Sequence, residues 1–243
     1  MSAGANRIVE VESVSARLAT HRWVWAEEEA ERIAAHWAAR KAERPAIFNG
    51  PILMVSSLVV AEDRADATFF RTDYANLLAW LDWGAPDRSV QNGFAMGALA
   101  GSDGGFLLGR MGPHTSQAGR VYFPAGTPDP DDVTDGGIVD LAGSIRREIE
   151  EETGLTPGDY TMEPRWTVVM HEGLAAFMPR VRLHVPANEA RLRIQDHCAR
   201  DDQPELSGIL IARGPTDIDR ATMPGYLQAY LAWAFNGSRS EIS

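Results

Sequence analysis

The stretch from Leu141 to Leu155 restricts the possible folds of this chain more than any other segment. Ala142, Ile145 and Ile149 recur at helical spacing, and Gly154 offers a left-handed stop after which Leu155 turns back towards a core. Asp140 is suited to cap the first turn. At about 100° per residue, Glu148, Glu151 and Glu152 fall within one arc of roughly 100° beside the apolar stripe. Arg146 and Glu150 point to the other side, as ordinary solvated charges. Three carboxylates at the border of a core repel one another unless a cation neutralises them, and their oxygens are hard donors of the kind that hold magnesium. The segment therefore predicts a helix with a packed surface on one side and a divalent ion along its edge.

Charge decides which partners are worth considering. With 23 Lys and Arg against 34 Asp and Glu, the formal net charge is -11, which argues against a general binder of nucleic-acid backbones. A small anionic substrate would have to be met by local cations, either arginines or a bound metal. Cys198 is the single cysteine and cannot form an internal disulfide, so a reducing, cytoplasmic location is expected. The first thirty residues lack the apolar run of a secretory signal. Ile52 to Ala61, the longest apolar stretch, is well short of the roughly 20 residues of a spanning helix, so no membrane partner is expected.

The remaining pattern is mixed α and β. A leading helix is expected over Trp25 to Lys41, ending before Arg44-Pro45, then a strand over Ile52 to Val60 and another near Thr68 to Arg71. Tyr74 to Trp83 reads as a short helix closed by Gly84. Phe94 to Ala100 and Phe106 to Met111 flank a glycine-rich hairpin turn, Val121 to Phe123 is a short strand, and Val181 to Val185 alternates as a half-buried strand does. Helices are expected over Ala187 to Arg200 and Tyr226 to Phe235, with a strand at Ile209 to Ala212 between them. A soft boundary near residue 90 separates an N-terminal extension, residues 1–90, from a larger unit, residues 91–243, and the two can share one core.

Arg147-Glu148-Ile149-Glu150-Glu151-Glu152-Thr153-Gly154-Leu155 fits R-E-apolar-x-E-E-x-G-apolar, and with these residues the chain resembles the Nudix hydrolase family. The resemblance implies an α/β/α sandwich of Nudix type with a mixed sheet, here carrying an N-terminal helix and strand extension. It implies that Glu148, Glu151 and Glu152 bind Mg2+ or Mn2+ and that Arg147 orients the carboxylates. Phe123-Pro124-Ala125-Gly126 is similar to the family's loop before the helix, with alanine for the first glycine, so the Gly126 region is expected to complete the metal shell through a backbone carbonyl.

The family pattern reads G-x5-E-x7-R-E. Here Asp132 follows Gly126 after five residues, but fourteen residues, not seven, separate Asp132 from Arg147. The box thus holds an insertion. Its prolines, glycines and aspartates predict a loop beside the substrate. A calcium loop over Asp131 to Asp140 is rejected, because Val133 and Ala142 stand where oxygen ligands are required.

The implied reaction is metal-dependent hydrolysis of a nucleoside diphosphate linked to another moiety, giving a nucleoside monophosphate and a phosphorylated product. Glu152, or Glu205 in the loop that by resemblance supplies a further carboxylate, is the expected general base. Arg110, Arg120 and His114 flank the strands leading to the box and are the candidate contacts to substrate phosphate. Pro45 to Gly50, Thr72-Asp73-Tyr74 and the enlarged box are together similar to the layout of animal UDP-glucose pyrophosphatases of the same family, which implies a nucleotide sugar. The alternative is a Nudix-fold protein that binds or senses a nucleotide without cleaving it. The partner expected in either case is a small-molecule nucleotide, and the assembly is left open between monomer and homodimer.

Overall fold

The computed structural model describes residues 6–115, 117–171 and 173–237. In chain order the first elements are β1 (Arg7–Val11), β2 (Ser13–Leu18), α1 (Val24–Glu28), α2 (Ala30–Glu43), β3 (Pro51–Ala61), β4 (Arg64–Asp73) and α3 (Tyr74–Asp82). They are followed by β5 (Asn92–Met96), β6 (Ala98–Ala100), β7 (Phe106–Met111), β8 (Val121–Tyr122), β9 (Ala125–Gly126), β10 (Val133–Thr134) and β11 (Ile138–Val139). The chain continues through α4 (Leu141–Thr153), β12 (Tyr160–His171), β13 (Leu174–Leu183), α5 (Ala187–Cys198), β14 (Leu206–Ala212) and α6 (Gly225–Gly237).

Two mixed sheets result. The larger runs β1-β12-β13-β6-β7-β14, with β5 beside β13 and β9, and β8 beside β7. Its strand β13 lies parallel to β5 and β6 and antiparallel to β12. Helices cover both faces. Ile145 and Ile149 of α4 are fully buried and close around Gly97 together with Val181. On the other face Tyr230 of α6 packs edge-on against Phe106 and Phe123. The mixed α/β architecture expected from the sequence is thus observed.

The smaller sheet, β10-β11-β2-β4-β3, carries α1, α2 and α3 and a second apolar cluster built on Trp23, Ile33, Met54, Phe70, Leu77 and Trp80. The expected leading helix is two helices, α1 and α2, broken at Glu29, whose φ of -95° and ψ of 9° depart from helical geometry. Strands β1 and β2 were not legible beforehand, because their apolar residues are short and interleaved with exposed charges. Strand pairings cross the expected boundary near residue 90 twice, and an isolated bridge between Val55 and Gln91 crosses it again. Strand β1 joins the large sheet by pairing with β12, and the hairpin β10-β11 joins the small sheet by pairing Ile138 with Arg17. Leu53, Val55 and Phe69 of the small sheet belong to the same buried cluster as Phe177 and Met96 of the large one. Each unit therefore lends the other a strand and shares its core.

The insertion between Asp132 and Asp140 is corrected by this topology. It is a two-stranded hairpin and not an unpaired loop, and Leu18 donates a further backbone hydrogen bond to the Gly137 carbonyl at 2.8 Å. Glycines at positions 136 and 137, with φ of 81° and 74°, supply its turn. Val139, 3% exposed, anchors the hairpin in the main core.

Candidate active site

Helix α4 begins as the sequence requires. The Asp140 carboxylate accepts from the Gly143 amide at 2.8 Å, and the helix ends at Gly154 with φ 69°, where its amide donates to the Glu150 carbonyl. The glutamates take three different environments along one side: Glu152 is buried, Glu148 half-buried and Glu151 exposed. Arg146 and Glu150 are exposed, as their helical positions require.

The insertion leaves the box in register. The Asp140 amide donates to the Asp132 carbonyl at 2.8 Å, so the hairpin is closed at its base. Looping out its seven residues, 133–139, leaves seven between Asp132 and Arg147, since fourteen minus seven is seven. Asp132 then meets Arg147 through two hydrogen bonds, 2.6 Å to Nη1 and 3.3 Å to Nη2. Arg147 also lies 3.5 Å from Glu148. The hydrogen bonds it donates to Asp132, the charge of that carboxylate and that of Glu148 hold the guanidinium firmly protonated. Arg147 is thereby fixed between the entry turn and the first glutamate of the helix.

The loop ahead of the hairpin packs its backbone directly on the glutamates. A Cβ on Gly126 would lie 2.3 Å from Glu148 Oε1, so any side chain here would push the Glu148 carboxylate out of its present position. The Ala125 amide donates to Glu152 Oε1 at 3.3 Å. Burial pushes the Glu148 carboxyl up to about 7, with Glu151, Glu205 and Asp132 adding repulsion that Arg147 opposes. Burial likewise holds Glu152 well above the usual carboxylate range, reinforced by Glu148, Glu205 and Glu151. Glu205, whose carbonyl accepts from the Gly112 amide at 2.7 Å, is therefore brought to the same negative field from a distant loop.

Tyr122 of β8 belongs to this field as well. Burial raises its phenol first, followed by repulsion from Glu152, Tyr226, Glu205 and Glu148. Tyr122, Ala125 and Gly126 line a cleft of about 260 Å³ with Phe94, Tyr226 and Arg120. The rings of Phe94 and Tyr226 stand edge to face, with centroids 5.3 Å apart. Asn92, Phe94 and Met96 enter the cleft from alternate positions of β5, a period of two that the sequence carried but that did not by itself reveal which face opens to solvent. Arg120 is at the cleft, whereas Arg110 and His114 are not among its lining. His114 lies in the exposed turn after β7, and Arg110 is paired across β7 with Val121. A larger cavity of about 410 Å³ sits at the opposite end of α4, among Arg17, Thr134, Ile138 and Trp166, and touches none of the clustered glutamates.

No family model and no curated protein sequence matches the chain. Solved structures that align with it include a MutT protein from Methanosarcina mazei Go1, at 18% identity and a TM-score of 0.39, over 63% of this chain and 96% of that one. A Nudix hydrolase from M. smegmatis, RenU, aligns at 13% identity and a TM-score of 0.39, over 63% of this chain and 88% of that one. A Nudix hydrolase from Nitrosomonas europaea aligns at 16% identity and a TM-score of 0.38, over 61% and 90%. The chain is similar to Nudix hydrolases.

A divalent ion fits the chemistry of these donors. Glu148, Glu151, Glu152 and Glu205 offer hard oxygens, and Gly126 removes the one side chain that would fill the space against Glu148. Among the described residues no group of three or more Asp, Glu, His or Cys side chains is gathered closely enough to hold a metal ion as it stands. Also among the described residues, no helix is long and apolar enough to cross a membrane.

Proposed function

We propose that this chain is a divalent-metal-dependent pyrophosphohydrolase of the Nudix family, cleaving a nucleoside diphosphate linked to another moiety. The observation that carries the reading is the seating of the loop on the helix: Gly126 against Glu148, and the Ala125 amide on Glu152, beside Arg147 held by Asp132. Two halves of a motif separated by an inserted hairpin meet as one acidic site.

Glu148, Glu151 and Glu152 are the proposed holders of Mg2+ or Mn2+, with the Gly126 backbone. When bound, the metal neutralises the diphosphate and acidifies the attacking water. Arg147 fixes the orientation of Glu148 through its ion pair. Glu152 or Glu205 takes the proton of the water as its oxygen bonds to phosphorus, while the bridging P–O bond breaks and its electrons leave with the departing phosphate. Arg120, at the mouth of the cleft, is the proposed partner of substrate phosphate, with Arg110 and His114 in supporting positions outside the lining. Phe94 and Tyr226 offer a flat heterocycle an aromatic wall. A nucleotide sugar is the proposed substrate and the cytoplasm the proposed location.

The second reading, binding or sensing a nucleotide without turnover, draws its support from the lengthened spacing between Gly126 and Arg147. Incubation with Mg2+ or Mn2+ and a panel of nucleotide sugars, ADP-ribose, dinucleoside polyphosphates, NADH and coenzyme A separates the two. Release of a nucleoside monophosphate that stops with chelator supports the hydrolase. Saturable binding of the same compounds without product supports the sensor.

A further inference from the structure

A second cluster of cations lies on the opposite face of the large sheet. Arg180 and Arg182 alternate with Val181 along β13, and because Val181 faces α4, both arginines point to the side covered by α6. There they meet Arg213, from the turn after β14, around a cavity of about 210 Å³ that also touches Gly101, Phe106 and Phe235. Three guanidiniums from two separated stretches, β13 and the turn after β14, of a chain with net charge -11 converge on one cavity, so the concentration of positive charge is local.

The three are unequally neutralised. Arg182 donates through Nε and Nη2 to Glu163, at 3.2 and 2.9 Å, and Arg213 pairs with Asp103 at 2.8 Å. Both pairs are exposed, with side-chain exposures of 60% for Arg182 and 44% for Arg213. Such pairs are weak, and they leave donors of each guanidinium uncommitted. Arg180 differs. It is half-buried, stacks 5.4 Å above the Phe106 ring and donates to the Tyr230 hydroxyl, and no carboxylate reaches it among the described residues. A half-buried guanidinium with an aromatic ring, one neutral acceptor and open space beside it lacks the anion that such a group ordinarily acquires.

We propose that this cavity is a binding site for phosphate-bearing anions, separate from the carboxylate cluster. A tetrahedral phosphate accepts hydrogen bonds from several directions at once, which suits three forks, two from one strand and one from a distant turn. The site does not depend on the hydrolase reading, since the sheet lies between it and α4. Free phosphate and the phosphate of a nucleoside monophosphate share the recognised chemistry.

Calorimetric titration of the full chain with inorganic phosphate and with AMP, in chelator and at constant ionic strength, tests it. Saturable phosphate binding is expected in the natural sequence and, unchanged, in Glu148→Gln/Glu152→Gln. Arg180→Gln is expected to weaken it at least about tenfold, Arg180→Lys less. Because Arg180 also satisfies Tyr230, Arg213→Gln serves as a second variant on an exposed position and should weaken binding several-fold with an unchanged melting temperature. Equal affinities for phosphate and AMP identify the phosphate alone as the ligand. Tighter AMP binding that falls in Phe235→Ala places its heterocycle on that ring. Phosphate binding no stronger than acetate, binding unaffected by Arg180→Gln and Arg213→Gln, or binding lost in the glutamate variant would overturn the proposal.

Discussion

At the scale of single residues, neighbours on one helix have opposite roles because of burial. Glu152 is 6% exposed and meets the Ala125 amide, whereas Glu150 is exposed to solvent two residues earlier. Glu152→Gln keeps size and removes the charge, so turnover in the metal-dependent assay is expected to fall at least about two orders of magnitude, while Glu150→Gln stays within a factor of about two. Equal losses in the two variants would remove Glu152 from the reaction. Asp132 gives the sharper structural test. It is 4% exposed and holds Arg147, which keeps 36% of its own side-chain surface in water. Breaking a fully buried pair costs about 3–5 kcal/mol, and water at Arg147 reduces this, so Asp132→Ala is expected to cost roughly 2–3 kcal/mol in urea unfolding. Asp132→Glu retains the carboxylate and should recover most of that loss. If Asp132→Ala unfolds at the natural urea midpoint, the pair contributes nothing to the fold.

At the scale of elements, the hairpin β10-β11 is one of the pieces that bind the N-terminal unit to the larger one. Its closure by Asp140 and Asp132 makes it removable in one cut, with the remaining chain already in register. Joining Asp132 to Asp140 without residues 133–139 removes the pairing of Ile138 with Arg17 and the buried Val139 side chain. Loss of a buried valine alone costs on the order of 2 kcal/mol, and for a chain of this size the melting temperature is expected to drop by at least about 4–8 °C. The Michaelis constant should change less than about threefold, because the hairpin faces the small sheet. An unchanged melting temperature with an altered Michaelis constant would return it to the substrate's side.

At the scale of the whole molecule, the acidic site links folding to pH and metal. Glu148, with an ordinary value of 4.5, ionises at about 7 in the folded chain, and Glu152 is shifted in the same direction. The folded state thus holds protons that the unfolded chain has released, and the stability this gives is fully present below about 4.5 and lost as the pH rises through about 7. Melts in chelator are expected to show the natural sequence losing stability between pH 5 and pH 7.5 relative to Glu148→Gln/Glu152→Gln. Magnesium at one hundred times its dissociation constant should restore about 2.7 kcal/mol near neutral pH, or roughly 5–10 °C, in the natural sequence alone. Superimposed melts with chelator, magnesium, manganese and calcium would leave the carboxylates as a solvated face.

The sequence by itself determined α4. Periodicity set its buried stripe, Asp140 and Gly154 set its ends, and the same periodicity put Glu148, Glu151 and Glu152 on one arc and Glu150 on the other side. All of these are local, within one or two turns of helix, where backbone geometry fixes which side chains are neighbours. Only the tertiary structure decided what joins that helix from afar. Fourteen residues between Asp132 and Arg147 gave no sign that seven would close into a hairpin docked on β2 through Ile138 and drop out of the count, since strand pairing is chosen between segments and not within one. Glu205 was named by resemblance alone, and Tyr122 and the aromatic wall were silent for the same reason: Phe94 of β5 and Tyr226 of α6 stand 132 positions apart and meet only when helix and sheet pack together.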